Sequence, residues 1–276
     1  MTHVRRLLFL STVVSLRLLA SALPAIAGGN AAADVSSNWS GYAISGQTFS
    51  SVSGSWTQPA ATCTSGSSSA AFWVGLGGNS TTSQSLEQVG TSSDCSATGT
   101  ASYSAWYELV PATSVPLKLK VSPGNKVSAS VKVNGTNVTL TFKNLTRKTN
   151  FTKTLTMAAP DVSSAEWIAE APSACDTYGR CRQVTLTNFG KLTFTNALAT
   201  AGGHTGTVSD SLWAATPIEL QSFANFGRFA PASSSGAQAV PANLSTDGSA
   251  FTVTYSALAT PQPTSPVPFG PGGGAL

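Results

Sequence analysis

From Asn38 onward, apolar and small polar residues alternate in short runs: "NWSGYAI", "SVSGSWTQP", "AAFWVGLG", "SLEQVG" and "SYSAWYELV". Period two over four to eight residues is the pattern of a half-buried strand. The long stretch "LKLKVSPGNKVSASVKVNGTNVTLTFKNLT" predicts two hairpins, turning at "SPGN" and at "VNGT", where Asn134-Gly135 suits a tight turn with both central residues at positive φ. "FTKTLTM", "SSAEWIAEA", "RQVTLTNF", "KLTFTNALAT", "TPIELQSF" and "AFTVTYSAL" continue the alternation, and no segment carries an apolar stripe of helical period over three turns. Many short strands with regular turns predict an all-β fold, a sandwich of two curved antiparallel sheets of the jelly-roll or concanavalin-like kind.

The same alternation sorts side chains by face. Ser104, Trp106, Glu108 and Val110 share one face of their strand, and Glu166, Ile168 and Glu170 share one with Trp167 and Ala169 opposite. Trp73, Gly75 and Gly77 form another such set, and Leu86, Gln88 and Gly90 stand opposed to Glu87. If Phe72, Val74, Leu76, Ala105, Tyr107 and Trp167 point into the core, the other faces line a concave cleft.

Composition narrows what such a cleft can do. Residues 1–27 read as a secretory signal: Arg5-Arg6, an apolar run from Leu7, and Ala25 and Ala27 as the small residues of a cleavage site. Residues 28–258 are then expected to form one β-sandwich domain, and the Pro- and Gly-rich residues 259–276 a disordered tail. Loss of Arg5, Arg6 and Arg17 takes the balance from 15 basic against 11 acidic to 12 against 11, so no nucleic-acid surface and no membrane anchor are expected. Four cysteines in an exported chain predict two disulfides, Cys63–Cys95 and Cys175–Cys181. A monomer is assumed, and no cofactor and no metal site are expected: one histidine, His204, remains after the signal, too few for a zinc centre and a poor basis for a histidine-activated nucleophile. Acid–base chemistry therefore falls to the few carboxylates, in a chain of which only 9% is charged. On spacing alone, a Glu beside a Trp on a strand serves equally as an exposed edge, as part of a sugar-binding cleft or as a catalytic group.

Four segments taken together resemble the glutamic peptidases, or eqolisins: "SSNWSGYAISG", "FWVGLGG" with "SLEQVG", "YSAWYELVP" and "SSAEWIAEAP", followed by "FGKLTFTNALAT". They run in the family's order from about Ser36 to Tyr255. The resemblance implies a secreted acid endopeptidase that acts on protein or peptide substrates, with Gln88 and Glu166 as catalytic pair and Trp73, Trp106, Glu108, Ile168 and Glu170 lining the substrate cleft. It implies that ionised Glu166 takes a proton from water and later returns it to the leaving amine, while the Gln88 amide positions that water and supports the oxyanion. An acidic optimum follows. The rival reading, open on the residues alone, is a carbohydrate-active sandwich, either a glycoside hydrolase or a lectin.

Overall fold

The computed structural model describes residues 33–175, 178, 181–221 and 237–257. The expected signal segment and tail lie outside them. Among the described residues there are strands and turns but no helix. In chain order the strands are β1 (Asp34–Ser36), β2 (Trp39–Ser45), β3 (Phe49–Thr57), β4 (Ser68–Gly77), β5 (Leu86–Cys95), β6 (Ala101–Val110), β7 (Val115–Pro116), β8 (Lys126–Asn134) and β9 (Asn137–Asn144). They continue with β10 (Thr149–Thr156), β11 (Ser164–Glu170), β12 (Ser173–Cys175), β13 (Cys181–Gln183), β14 (Lys191–Ala201), β15 (His204–Thr207), β16 (Ala214–Gln221), β17 (Ala237–Pro241) and β18 (Phe251–Tyr255).

One hydrogen-bonded path runs β10-β9-β8-β3-β14-β18-β17-β16-β2-β11-β4-β5-β6-β7, with β15 attached to β14 and β1 to β16. Neighbours along it are antiparallel; β1 joins β16 in parallel. The sheet curls until its two ends stack. β14 makes the crossing: Lys191–Phe194 pair with β18, whereas Thr195–Ala201 pair with β3, and the register slips between Thr195 and Leu198. Asn196, at φ 50°, sits in that slip. Asn tolerates left-handed backbone better than most residues, so the bend falls on a residue suited to it.

Between the stacked halves lies the main core. Phe49, Val52 and Trp56 of β3, Val127, Ala129 and Val131 of β8, and Leu140 and Phe142 of β9 meet Phe72, Val74 and Leu76 of β4 and Trp167 of β11. Two indoles tie the halves together through polar bonds. Trp167 Nε1 donates to the Ser53 carbonyl at 2.7 Å, and Trp56 Nε1 donates to Thr91 Oγ1 at 3.1 Å. The six residues expected to point inward, Phe72, Val74, Leu76, Ala105, Tyr107 and Trp167, all do so. A smaller apolar cluster of Ala43, Ala71, Trp73, Leu86, Trp106, Ile168 and Ile218 covers the opposite face of the same strands.

Two hairpin expectations need correction. The turn between β8 and β9 is Gly135-Thr136, with Asn134 paired to Asn137. Gly135 has φ 59° and Thr136 is not at positive φ, which fits the two-residue turn with glycine first. The "LKLKV" run before "SPGN" pairs with nothing over Leu117–Val121 beyond single bonds; Leu117, Leu119 and Val121 instead plug the edge of the core. Cys63 and Cys95 form the expected disulfide. β12 and β13 place Cys175 opposite Cys181, but those side chains lie outside the described residues.

Candidate active site

Register decides which residues of each face meet. In one row, Glu166 of β11 stands opposite Gly75 of β4, Gly75 opposite Gln88 of β5, and Gln88 opposite Glu108 of β6. At about 4.8 Å per strand, the Glu166 and Gln88 backbones are roughly 9.6 Å apart. Only glycine lies between them, so both side chains can lean over the same spot. A Cβ on Gly75 would meet Leu86 Cδ1 and Trp73 Cζ3 at 3.0 Å and the Glu87 carbonyl oxygen at 3.1 Å.

The next row carries Ile168, Trp73, Gly90 and Trp106. A third carries Trp39, Glu170, Ala71, Ser92 and Ser104. The register thus puts Gln88, Glu166, Trp73, Trp106, Glu108, Ile168 and Glu170 on one face of neighbouring strands. Glu170 holds rather than faces outward: Oε2 accepts from Trp73 Nε1 at 2.7 Å and Oε1 accepts from Asn38 Nδ2 at 3.2 Å. Trp106 Nε1 donates to Ser92 Oγ at 2.9 Å. Gln88 Nε2 donates to Glu108 Oε2 at 2.6 Å. Nε2 is the donor in this bond, so the Gln88 NH₂ faces Glu108 and Oε1 is left on the other side of the amide.

Glu166 is fully buried and Gln88 is 4% exposed. Gln88 Oε1, both Glu166 oxygens and the neighbouring Ser164 Oγ have no hydrogen-bond partner among the described residues. Buried polar atoms are rarely left so, and four of them together mark a place built to receive polar groups. Burial pushes the Glu166 carboxyl well above the usual range; the nearby Ser164 hydroxyl opposes this without reaching hydrogen-bond geometry, and the negative charge of Asp161 adds to it, as does that of Glu87 once Glu87 ionises. Burial likewise raises Glu170 to about 7, against the donors Trp73 and Asn38, and raises Glu108 against its bonds from Gln88 and the Ser114 backbone.

Beside the site lie the β4–β5 loop, residues 78–85, and Trp39. The Trp39 and Trp73 rings meet edge to face at 5.0 Å, and a Cβ on Gly78 would stand 3.1 Å from Trp39 Cη2. Two open grooves flank the loop, and Asn79 and Ser80 wall both. One of about 630 Å³ passes Ser45, Ser83, Asp161 and Ser164; the other, of about 550 Å³, passes Asn38, Trp39, Thr81 and Ile218.

Four site residues were not singled out from sequence. Trp39 and Ser164 carried a signal, since alternation in "NWSGYAI" and "SSAEWIAEA" puts each on the cleft side. Asp161 lies in a loop, where period two says nothing. Glu87 was placed opposite Gln88, and it is in fact wholly buried on the core side, where Oε1 accepts from the Asp161 backbone N–H at 3.2 Å and Oε2 has no partner. His204 is away from the cleft, on β15, where its Nε2 lies 2.7 Å from Asp210 Oδ2.

The profile of the peptidase A4 family matches residues 37–255. Aspergillopepsin-2 of Aspergillus niger is 30% identical over 202 residues, which cover 64% of this chain and 69% of that protein. Scytalidopepsin B of Scytalidium lignicola is 31% identical over 188 residues, covering 65% and 69%. Among solved structures, scytalido-glutamic peptidase with a transition state analog inhibitor superimposes with a TM-score of 0.65 at 26% identity, over 80% of this chain and 98% of that one.

Proposed function

The chain belongs to the peptidase A4 family, and from this we propose that it is an exported acid endopeptidase whose working pair is Gln88 and Glu166. The observation that carries the pairing is the buried row in which Gln88 Oε1 and both Glu166 oxygens stand without partners on either side of Gly75. Export is supported by the signal-like residues 1–27 and by the Cys63–Cys95 disulfide, which persists in oxidising compartments. Among the described residues no helix is long and apolar enough to cross a membrane. The substrate class is protein or peptide.

The burial of Glu166 favours a starting state other than the ionised one that the family resemblance implied. A carboxyl whose pKa is raised holds its proton in acid, so the reaction begins from neutral Glu166. Gln88 Oε1 accepts a hydrogen bond from a water molecule and aims its oxygen at the scissile carbonyl carbon. One Glu166 oxygen gives its proton to the carbonyl oxygen as the water adds, and the other takes a proton from that water. A neutral tetrahedral diol results, with Glu166 again protonated. The second Gln88 N–H, left over from the bond to Glu108, is available to the oxygens of that species. Glu166 then protonates the amide nitrogen, the C–N bond breaks, and one diol hydroxyl returns a proton to Glu166. Acid and amine leave, and no covalent enzyme intermediate is needed.

The test is cleavage of acid-denatured protein, with a polysaccharide assayed in parallel. Glu166→Gln is expected to lose at least about 100-fold in kcat/KM, and Gln88→Glu to lose activity as well, both with the wild-type melting temperature retained within a few degrees. Full proteolysis by both variants would remove the pair from the chemistry, and glycan cleavage without proteolysis would remove the peptidase reading for this chain. In the wild type, kcat/KM is expected to fall on the alkaline side with an apparent pKa above 4.5. Activity that instead climbs as Glu166 ionises reverses the assigned starting state.

A further inference from the structure

Asp161 belongs to none of the family-like segments, and the reaction above gives it no part. It sits five residues before Glu166, in the segment leading from β10 into β11. Its carboxylate reaches across to the end of β4. Oδ2 accepts from the Gly78 N–H at 3.3 Å and from the Ser83 hydroxyl, and Oδ1 accepts from the Ser163 N–H at 2.9 Å. Gly78 and Ser83 are both in the loop that joins β4 to β5. The space it fills exists because residue 77 is glycine: a Cβ there would lie 2.5 Å from Asp161 Cβ, and Gly77 has φ 81°. The Asp161 N–H is used too, on buried Glu87.

We propose that Asp161 is a positioning residue for the peptidase reaction: its carboxylate clamps the β4–β5 loop to the segment entering β11 and sets a fixed negative charge beside Glu166, which keeps the Glu166 proton in place. The inference rests on the reading of Glu166 as the acid. Geometry supplies the clamp, since one side chain bonds the β4–β5 loop and the backbone that runs into β11. Electrostatics supplies the charge. Burial works to raise the Asp161 pKa, but hydrogen bonds from Ser163, Ser83 and Gly78 outweigh it and the net shift is downward, so Asp161 is ionised where Glu166 is not.

The other acids facing Glu166 do not compete for this role. Glu87, on the core side of β5, is itself pushed up to about 8 by burial and stays neutral in acid. Glu108 lies beyond Gln88 in the same row and is raised by burial. Glu170, further along β11, is raised to about 7. The rest of the row, Thr216, Ala43, Gly75 and Gln88, contains no basic residue. In acid, Asp161 is therefore the ionised member of the group.

The experiment is the pH dependence of kcat/KM and KM on a soluble peptide for the wild type, Asp161→Asn, Asp161→Ser, Asp161→Glu and Glu166→Gln. Asp161→Asn keeps an acceptor but loses the charge, so the alkaline limb of kcat/KM is expected to move toward acid by about half a pH unit or more. Toward the acid end, where wild-type Asp161 becomes neutral, the two profiles converge. Asp161→Ser, smaller and without crowding at Gly77, is expected to show the same displacement should the Asn variant fold poorly. Asp161→Glu keeps the charge but its extra methylene does not fit the space beside Gly77; its limb is expected nearer the wild type's than the Asn variant's, with KM raised. A limb that coincides with the wild type's in folded Asp161→Asn or Asp161→Ser overturns the proposal. If Glu166→Gln remains active, the reading of Glu166 fails first; if it is inactive while the Asp161 variants are unshifted, this inference alone fails.

Discussion

Gly75 is where the chemistry of the pair is most sensitive to a single atom. It separates Gln88 from Glu166 in the row, and a Cβ there meets Leu86, Trp73 and the Glu87 carbonyl at 3.0–3.1 Å. Such distances call for shifts of a few tenths of an ångström, an overpacking worth about 1–3 kcal/mol. The atoms that must give way are those that shape the pocket. Gly75→Ala is therefore expected to lower kcat/KM by about tenfold or more while the protein still folds, since a displacement of the reacting groups by 1 Å costs rate steeply. Circular dichroism with peptide kinetics checks this; wild-type kinetics in a folded Gly75→Ala enzyme sinks the geometric argument. At this scale the sequence was legible in part. Alternation put Gly75, Gln88, Glu108 and Glu166 on cleft faces, but it cannot say which residue stands opposite which. That depends on register, so the row was not readable, although the same alternation put Ser164 on the face of Glu166. Asp161 and the core-side burial of Glu87 depend on a loop conformation and on the depth of a strand end, which no local pattern encodes.

Among the elements, β14 carries the crossing of the sheet, pairing with β18 through its first part and with β3 through its second. The alternation of "KLTFTNALAT" marked it as a strand, and its irregular middle, where Asn196 and Ala197 interrupt period two, carried a hint of the slip. The curl was legible only as an expectation of two sheets; that they form one path joined by this strand was not. Because Asn196 is exposed at φ 50°, its side chain packs little and its value is conformational. Asn196→Gly is expected to stay within about 0.5 kcal/mol of the wild type, and Asn196→Val to cost about 1–2 kcal/mol, because a β-branched residue resists left-handed backbone. Urea unfolding measures both. Equal stability of the two variants contradicts the assignment of the bend to this residue. The hairpin after β8 teaches the converse: the "NGT" sequence rightly announced a turn, yet the turn centred one residue later, since Gly135 alone supplies the positive φ when it stands first.

For the whole molecule, the buried carboxyls set how stability depends on pH. Burial raises Glu87 to about 8, Glu170 to about 7 and Glu166 well above its usual value, whereas in the unfolded chain each titrates near 4.5. Between pH 4.5 and those raised values the native state holds protons that the unfolded state has released. Unfolding free energy then falls as pH rises, by about 1.4 kcal/mol per pH unit for each proton so retained. Below pH 4.5 both states are protonated at these groups and their contribution is complete. Asp161 runs the other way: its lowered pKa gives stability above the unfolded value that is lost in stronger acid. The two trends place the maximum near the ordinary carboxylate range rather than at neutrality, and the small number of charges, 15 basic and 11 acidic in 276 residues, limits self-repulsion there. Scanning calorimetry is expected to give a melting temperature that declines steadily from pH 4.5 to 7.5. Glu87 takes no part in the proposed chemistry, so Glu87→Gln isolates one of the three protons: its decline is expected to be shallower than the wild type's, with activity in acid preserved. A melting temperature that rises toward neutrality means that these carboxyls are solvated in the folded protein, and with that the neutral starting state of Glu166 loses its physical basis.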